Sequence, residues 1–247
     1  MKMVTGEEER VSDLLRTSES FLRYVAEWEA DLAVLPLAQV VREAGGPGGV
    51  ALHVVDLTVG FCDTGRLASP RIAAIVFPIV DLLCRAHAAG VKHFLLIQDA
   101  HPEGSPEFEA FGPHCVVGTP EAKTVPELEA LPFSNQFLRI PKRSISPSIG
   151  TELESWMAAH PEVTRHIVVG DCTDICVYQT AMYLKMRANA LMLEYEVLVP
   201  EDCVQTYDFS VERAQAIGAI PHDGDLLHLI ALYHMALNGV RVVRTIT

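Results

Sequence analysis

The sequence is poor in several things, and each shortage excludes a class of function. No apolar run reaches the roughly 18 residues of a membrane span. Basic residues are few: 19 Lys and Arg stand against 32 Asp and Glu, a net charge of −13. That balance excludes a phosphate-backbone partner, which needs clustered cations, and an anionic membrane surface. The opening stretch, MKMVTGEEER, has no apolar segment of the kind a secretory leader needs. There is no internal repeat. Cysteine is present but in no framework: Cys62, Cys84, Cys115, Cys172, Cys176 and Cys203 are scattered through the chain. Free thiols in a reducing cytoplasm are therefore expected rather than disulfides. What the chain does have is length and apolar content. Its 247 residues are 49% apolar, enough for one large α/β domain or two small ones.

Residues 1–46 read as an N-terminal helical extension. SESFLRYVAEWEADLAVLPLAQVVREAGG places Phe21, Leu22, Val25, Trp28 and Leu32 at helical spacing, and Gly45 and Gly46 end it. From 47 to 247 strands and helices alternate. VALHVVDL (50–57), VKHFLLIQD (91–99), NQFLRIPK (135–142), HIVVGD (166–171), LMLEYEVLVPED (191–202) and VRVVRTI (240–246) read as buried strands. Helices are expected over 69–90, kinked at Pro78, and over 149–161, 173–190, 210–217 and 224–238. This alternation predicts a three-layer α/β/α domain around a mainly parallel six-stranded sheet. A Pro- and Gly-rich segment after residue 99 is too long to be a plain connection, which marks it as functional.

In such sheets the ligand sits beyond the carboxyl ends of the strands. That edge collects Asp56, Asp99, His101, Lys142, Asp171, Cys172 and Cys176. Cys176 falls in the first turn of a helix, where free N–H groups and the helix dipole favour a thiolate and can hold an oxyanion. Lys142 is expected to lower the thiol pKa further. Asp56 is placed to take the thiol proton and return it to a leaving group. Cys, Asp and Lys together are chemically complete for acyl transfer. Asp99, His101 and His114 lie on one loop, with Glu107 as a fourth ligand or an acceptor for an imidazole N–H. These are ligands for a divalent ion, zinc foremost and iron or manganese as alternatives, with positions left open for water or substrate. The other cysteines read as packing, and His222, His228 and His234 as surface or interface groups. His228 and His234 are six apart and do not share a helical face as a ligand pair needs.

Four motifs in order carry a resemblance: VVDLTVGFC, LLIQDAHPEGSPEF with FGPHCVVGT, PKRSISPSIGTELESWM and VVGDCTDICVYQTA. Over about residues 48–206 the chain resembles the isochorismatase-like cysteine hydrolases, and within them the nicotinamidases. The resemblance implies Cys176 as nucleophile, Asp56 as acid/base, Lys142 as the catalytic lysine and Asp99, His101 and His114 as metal ligands, with Glu107 a ligand in some members. It also implies a non-proline cis peptide at Asp171–Cys172, an oxyanion hole from the Cys172 and Cys176 N–H groups, and an aromatic pocket wall at Phe61. Phe111 and Gly112 stand where nicotinamidases often carry a Trp, and RSISPSIGT lacks the family's aromatic pattern beside the pocket. The implied reaction is hydrolysis of a small carboxamide, nicotinamide first. A ureido or carbamoyl substrate and a silent binding protein of the same fold are the alternatives. Hydrolysis of a vinyl ether fits poorly, because it requires neither the cysteine nor the metal loop. The expected assembly is a homo-oligomer, a dimer or tetramer, with no nucleic-acid or membrane partner.

Overall fold

The computed structural model describes residues 6–247; the first five residues of the opening stretch, read as having no leader-like apolar segment, lie outside the described residues. The chain divides into two compact units, 1–32 and 33–247. The described part of the first is one helix, α1 (Gly6–Ala30). Among the described residues no helix is long and apolar enough to cross a membrane.

The second unit begins at Ala33, ahead of the boundary at 46 that the glycine pair suggested. The reason is a strand that sequence patterning is too short to reveal. β1 (Val34–Leu35) pairs in parallel with the last strand of the chain, Thr245–Ile246. Helix α2 (Leu37–Glu43) follows and buries Leu37 and Val40. The remaining strands are β2 (Val50–Val55), β3 (His93–Asp99), β4 (Phe137–Lys142), β5 (Arg165–Asp171), β6 (Glu196–Pro200), β7 (Val204–Gln205), β8 (Arg241–Val243) and β9 (Thr245–Ile246). The expected sixth strand over 240–246 is therefore two: β8 joins the main sheet, and β9 leaves it to pair with β1.

The main sheet runs β4-β3-β2-β5-β6-β8, with β7 paired to β5, and every pairing is parallel. Strands buried on both faces must be apolar throughout, and Val50–Val55 is buried at every position. The helices are α3 (Val59–Cys62), α4 (Pro70–Ala73), α5 (Val76–Ala88), α6 (Phe108–Phe111), α7 (Pro126–Glu129), α8 (Leu153–Ala159), α9 (Cys176–Leu191), α10 (Val211–Ile217) and α11 (Gly224–Leu237). The single kinked helix expected over 69–90 is instead two helices, α4 and α5. Pro78 lies in the first turn of α5, where its missing N–H has no intrahelical partner to lose, so it kinks nothing.

The strand order makes the site. The chain starts in the middle at β2, steps outward to β3 and β4, then returns to β5 on the other side of β2. The connections from β2 and β5 thus leave in opposite directions and open a crevice at the carboxyl edge. Gly170 permits that approach: at φ +114° a Cβ there would lie 2.0 Å from the Val55 carbonyl oxygen.

Candidate active site

Asp56 follows β2, Asp99 ends β3, Lys142 ends β4 and Cys176 opens α9 after β5. Register brings Asp99 beside Lys142, since the two are Cα partners across β3 and β4. The Lys142 ammonium, fully buried, lies 2.7 Å from Asp56 Oδ2 and 2.5 Å from Asp99 Oδ1, and donates to Cys176 Sγ at 3.4 Å. Asp56 Oδ1 accepts the Asp99 N–H at 2.7 Å. Asp56 itself takes the left-handed backbone conformation, φ 54°. One carboxylate oxygen of Asp56 lies within 4.8 Å of Cys176 Sγ.

Burial and the neighbouring Asp99 raise the Asp56 pKa to about 6, against the pull of Lys142. For Asp99 burial acts upward too, but the Lys142 ammonium and the neighbouring His101 and His114 rings outweigh it, and Asp99 stays ionised. The thiol differs from the sequence expectation. Burial pushes Cys176 well up, and Lys142 only partly offsets burial and the two carboxylates. The helix terminus and the lysine favour a thiolate, but the side chain is only 6% exposed and its desolvation outweighs both. At rest the residue is a thiol beside a base.

Asp99 also faces the second cluster. His101 Nε2 and His114 Nε2 each lie 3.4 Å from one of its oxygens, and Glu107 Oε1 lies 3.9 Å from His101 Nε2. One ligand atom from each of these four residues falls within 4.8 Å of the others. His114 Nδ1 hydrogen-bonds the Gly112 carbonyl at 2.8 Å, which fixes that nitrogen as the donor and leaves Nε2 as a lone pair. His101 is fully buried, and neither of its ring nitrogens has a hydrogen-bond partner. A buried imidazole with no partner beside two carboxylates and a second imidazole is a donor set suited to a divalent ion.

A narrow cavity of about 20 Å³ joins the two clusters, with Asp99, Glu107, His114 and Cys176 in its lining. Phe61, Phe111 and Cys172 line it as well. Phe61 and Phe111 stand 5.9 and 6.2 Å from the His114 ring, centroid to centroid. The Asp171–Cys172 peptide is cis. Asp56, Asp99, His101, Glu107, His114, Lys142, Cys172 and Cys176 thus lie in or against one cavity.

Other participants were not legible. Ile145, Ile175 and Tyr207 line the cavity; Asp171, which the sequence already set at this edge, lines it too, and burial pushes its carboxyl well up. The turn before α9 is braced from the C-terminal part of the chain. Asp174 accepts from the Thr206 hydroxyl at 2.6 Å and pairs with His222 at 2.8 Å. Thr173 Oγ1 and His228 Nδ1 lie 2.8 Å apart. His222 is therefore buried against Asp174 and stacked on Tyr207 rather than a surface group. Among the cysteines read as packing, Cys115 and Cys203 are buried, but Cys84 is exposed and Cys62 half-buried.

The family model described as the isochorismatase domain matches residues 50–225. Nicotinamidase 1 of Arabidopsis thaliana is 29% identical over 214 residues, spanning 80% of this chain and 86% of that one. The nicotinamidase/pyrazinamidase of Mycobacterium tuberculosis is 33% identical over 142 residues, 53% of this chain and 76% of the relative. Among solved structures, Pyrococcus horikoshii pyrazinamidase in complex with zinc superposes with a TM-score of 0.60 over 79% of this chain and 99% of that one. At 23% identity that likeness is one of fold.

Proposed function

The chain belongs to the isochorismatase domain family, and from that premise we propose that it is an amidohydrolase that cleaves a small carboxamide, nicotinamide first, to the acid and ammonia. The observation that carries the reading is the contact of one buried ammonium, Lys142, with both Asp56 and the Cys176 thiol.

The chemistry follows from the protonation states. Asp56, as carboxylate, takes the Sγ proton as the sulfur attacks the carboxamide carbon. Lys142 offsets the charge on sulfur. The N–H of Cys176, first residue of α9, has no intrahelical partner and points from the positive end of the helix. Together with the Cys172 N–H it holds the oxyanion. Asp56 then gives its proton to the departing nitrogen, and ammonia leaves a thioester on Cys176. Asp56 next accepts a proton from water, whose oxygen attacks the thioester carbon and releases the acid and the thiol. A carboxyl group with a pKa of about 6 suits this exchange of roles near neutrality.

Asp99, His101, His114 and Glu107 would hold a divalent ion, which supplies a Lewis-acidic point for a ring nitrogen of the substrate. Zinc is the first choice for this donor set, with iron or manganese as alternatives. Phe61 and Phe111 would wall the ring.

The test is ammonia release from nicotinamide. Cys176→Ala should lose nearly all activity, and Cys172→Ala, which keeps its backbone N–H, should retain much of it. Full activity in Cys176→Ala would end the mechanism.

A further inference from the structure

The reaction cavity borders a much larger groove of about 520 Å³, and the two share Leu67, Phe111 and Tyr207 as a common wall. The groove is walled by both apolar and polar side chains, and two guanidinium groups, Arg66 and Arg213, stand on it. Among the described residues neither is in an ion pair, whereas Arg71 close by is tied to Asp225 at 2.8 Å. Each lies against something other than an acid. Arg213 lies over the Phe209 ring, 5.2 Å from its centroid. The Arg66 side chain occupies the space above Gly112, where an added Cβ would come within 2.5 Å of Nε. Gly112 has φ +74° and its carbonyl orients His114, so Arg66 sits on the loop that carries the candidate metal ligands. Asp208 is the acidic side chain on the groove, and its Oδ1 accepts the Gly224 N–H. The groove thus carries two guanidinium groups against one carboxylate, on a chain of net charge −13.

We propose that this groove is the distal half of the substrate site and binds a carboxylate carried on the acyl side of the amide. The scissile group lies at Cys176, the chain of the substrate passes Leu67, Phe111 and Tyr207, and Arg66 and Arg213 take the carboxylate by charge-assisted hydrogen bonds. Amides with a carboxylated arm are then better substrates than uncharged amides of equal length. This rests on the amidohydrolase reading, so the experiment separates the two.

Ammonia release is measured for glutaramic, adipamic and pimelamic acids and for uncharged aliphatic amides of matching length, with wild type and with Arg66→Gln/Arg213→Gln. The expected result is a wild-type preference for the carboxylated amide of about tenfold or more in kcat/KM, expressed mainly in KM. In the double variant the preference collapses toward one, and in wild type it weakens as salt is raised. A preference unchanged in the double variant, or absent in wild type, overturns the proposal while turnover of nicotinamide leaves the amidohydrolase reading intact. If wild type hydrolyses no amide at all, that reading falls. Calorimetry of glutarate, adipate and pimelate with the Cys176→Ala protein then decides the groove alone. Binding that is lost on adding Arg66→Gln/Arg213→Gln sustains a carboxylate site, and no binding sinks it.

Discussion

Asp56 stands between two opposing influences, burial beside Asp99 and the ammonium of Lys142, and their balance leaves it titrating at about 6. Only the carboxylate can accept the thiol proton, so activity is lost as pH falls through that value. The kcat/KM profile of wild type should rise with pH and level off above about 6, while Asp56→Asn should be about a thousandfold or more less active and lack that limb. Lys142 is the countercharge for two buried carboxylates at once. In Lys142→Met those carboxylates remain without it, which costs about 3–5 kcal/mol, or about 10 °C in Tm. Because protonating Asp56 relieves the repulsion, the loss in Tm should shrink as pH is lowered. A Tm deficit that grows toward acid pH would contradict this account.

At the scale of elements, β2 and β5 meet through more than their backbone ladder. His53 Nε2 and His166 Nδ1 lie 3.1 Å apart, both fully buried. Burial lowers both, His53 from 6.5 to about 3. The unfolded chain takes up these protons below its ordinary histidine pKa and the folded chain does not. Folding stability is therefore complete above about 6.5 and is lost as pH falls toward 3. Tm should drop steeply between about pH 6.5 and pH 5, and His53→Leu with His166→Leu should flatten that slope. In the sequence these two residues look like polar interruptions of apolar strands, and the pattern around them was enough to place β2 and β5 correctly. It was not enough for α4 and α5, whose helical spacing continues across the break at Ala74–Ile75.

At the scale of the molecule, the sheet gathers chain segments far apart in sequence into one crevice with two linked clusters, and Asp99 belongs to both. A metal-binding cluster should appear as stability, not only as activity. Adding zinc to chelator-treated protein at about a hundred times Kd should stabilise it by about 2.7 kcal/mol, a Tm rise of about 5–10 °C. His101→Ala with His114→Ala should abolish the rise. An unchanged Tm on adding zinc, iron(II) or manganese(II) would leave this cluster without its proposed ligand.

The sequence by itself determined the strand and helix alternation, and with it the edge at which Asp56, Asp99, Lys142 and Cys176 meet, because a parallel sheet sends every strand's carboxyl end the same way. It also displayed the metal-loop residues, because a Pro- and Gly-rich segment with Asp99, His101, Glu107 and His114 has few structural uses. What only the tertiary structure decided depends on contacts with no sequence period. The β1–β9 pairing, the Asp174–His222 brace and the Arg66–Arg213 groove each join distant segments. Protonation is decided there too. The sequence put a cysteine at a helix start beside a lysine, which argues for a thiolate. The fold buries it, and the cost of desolvating the charge outweighs both, so the resting group is a thiol that Asp56 must deprotonate.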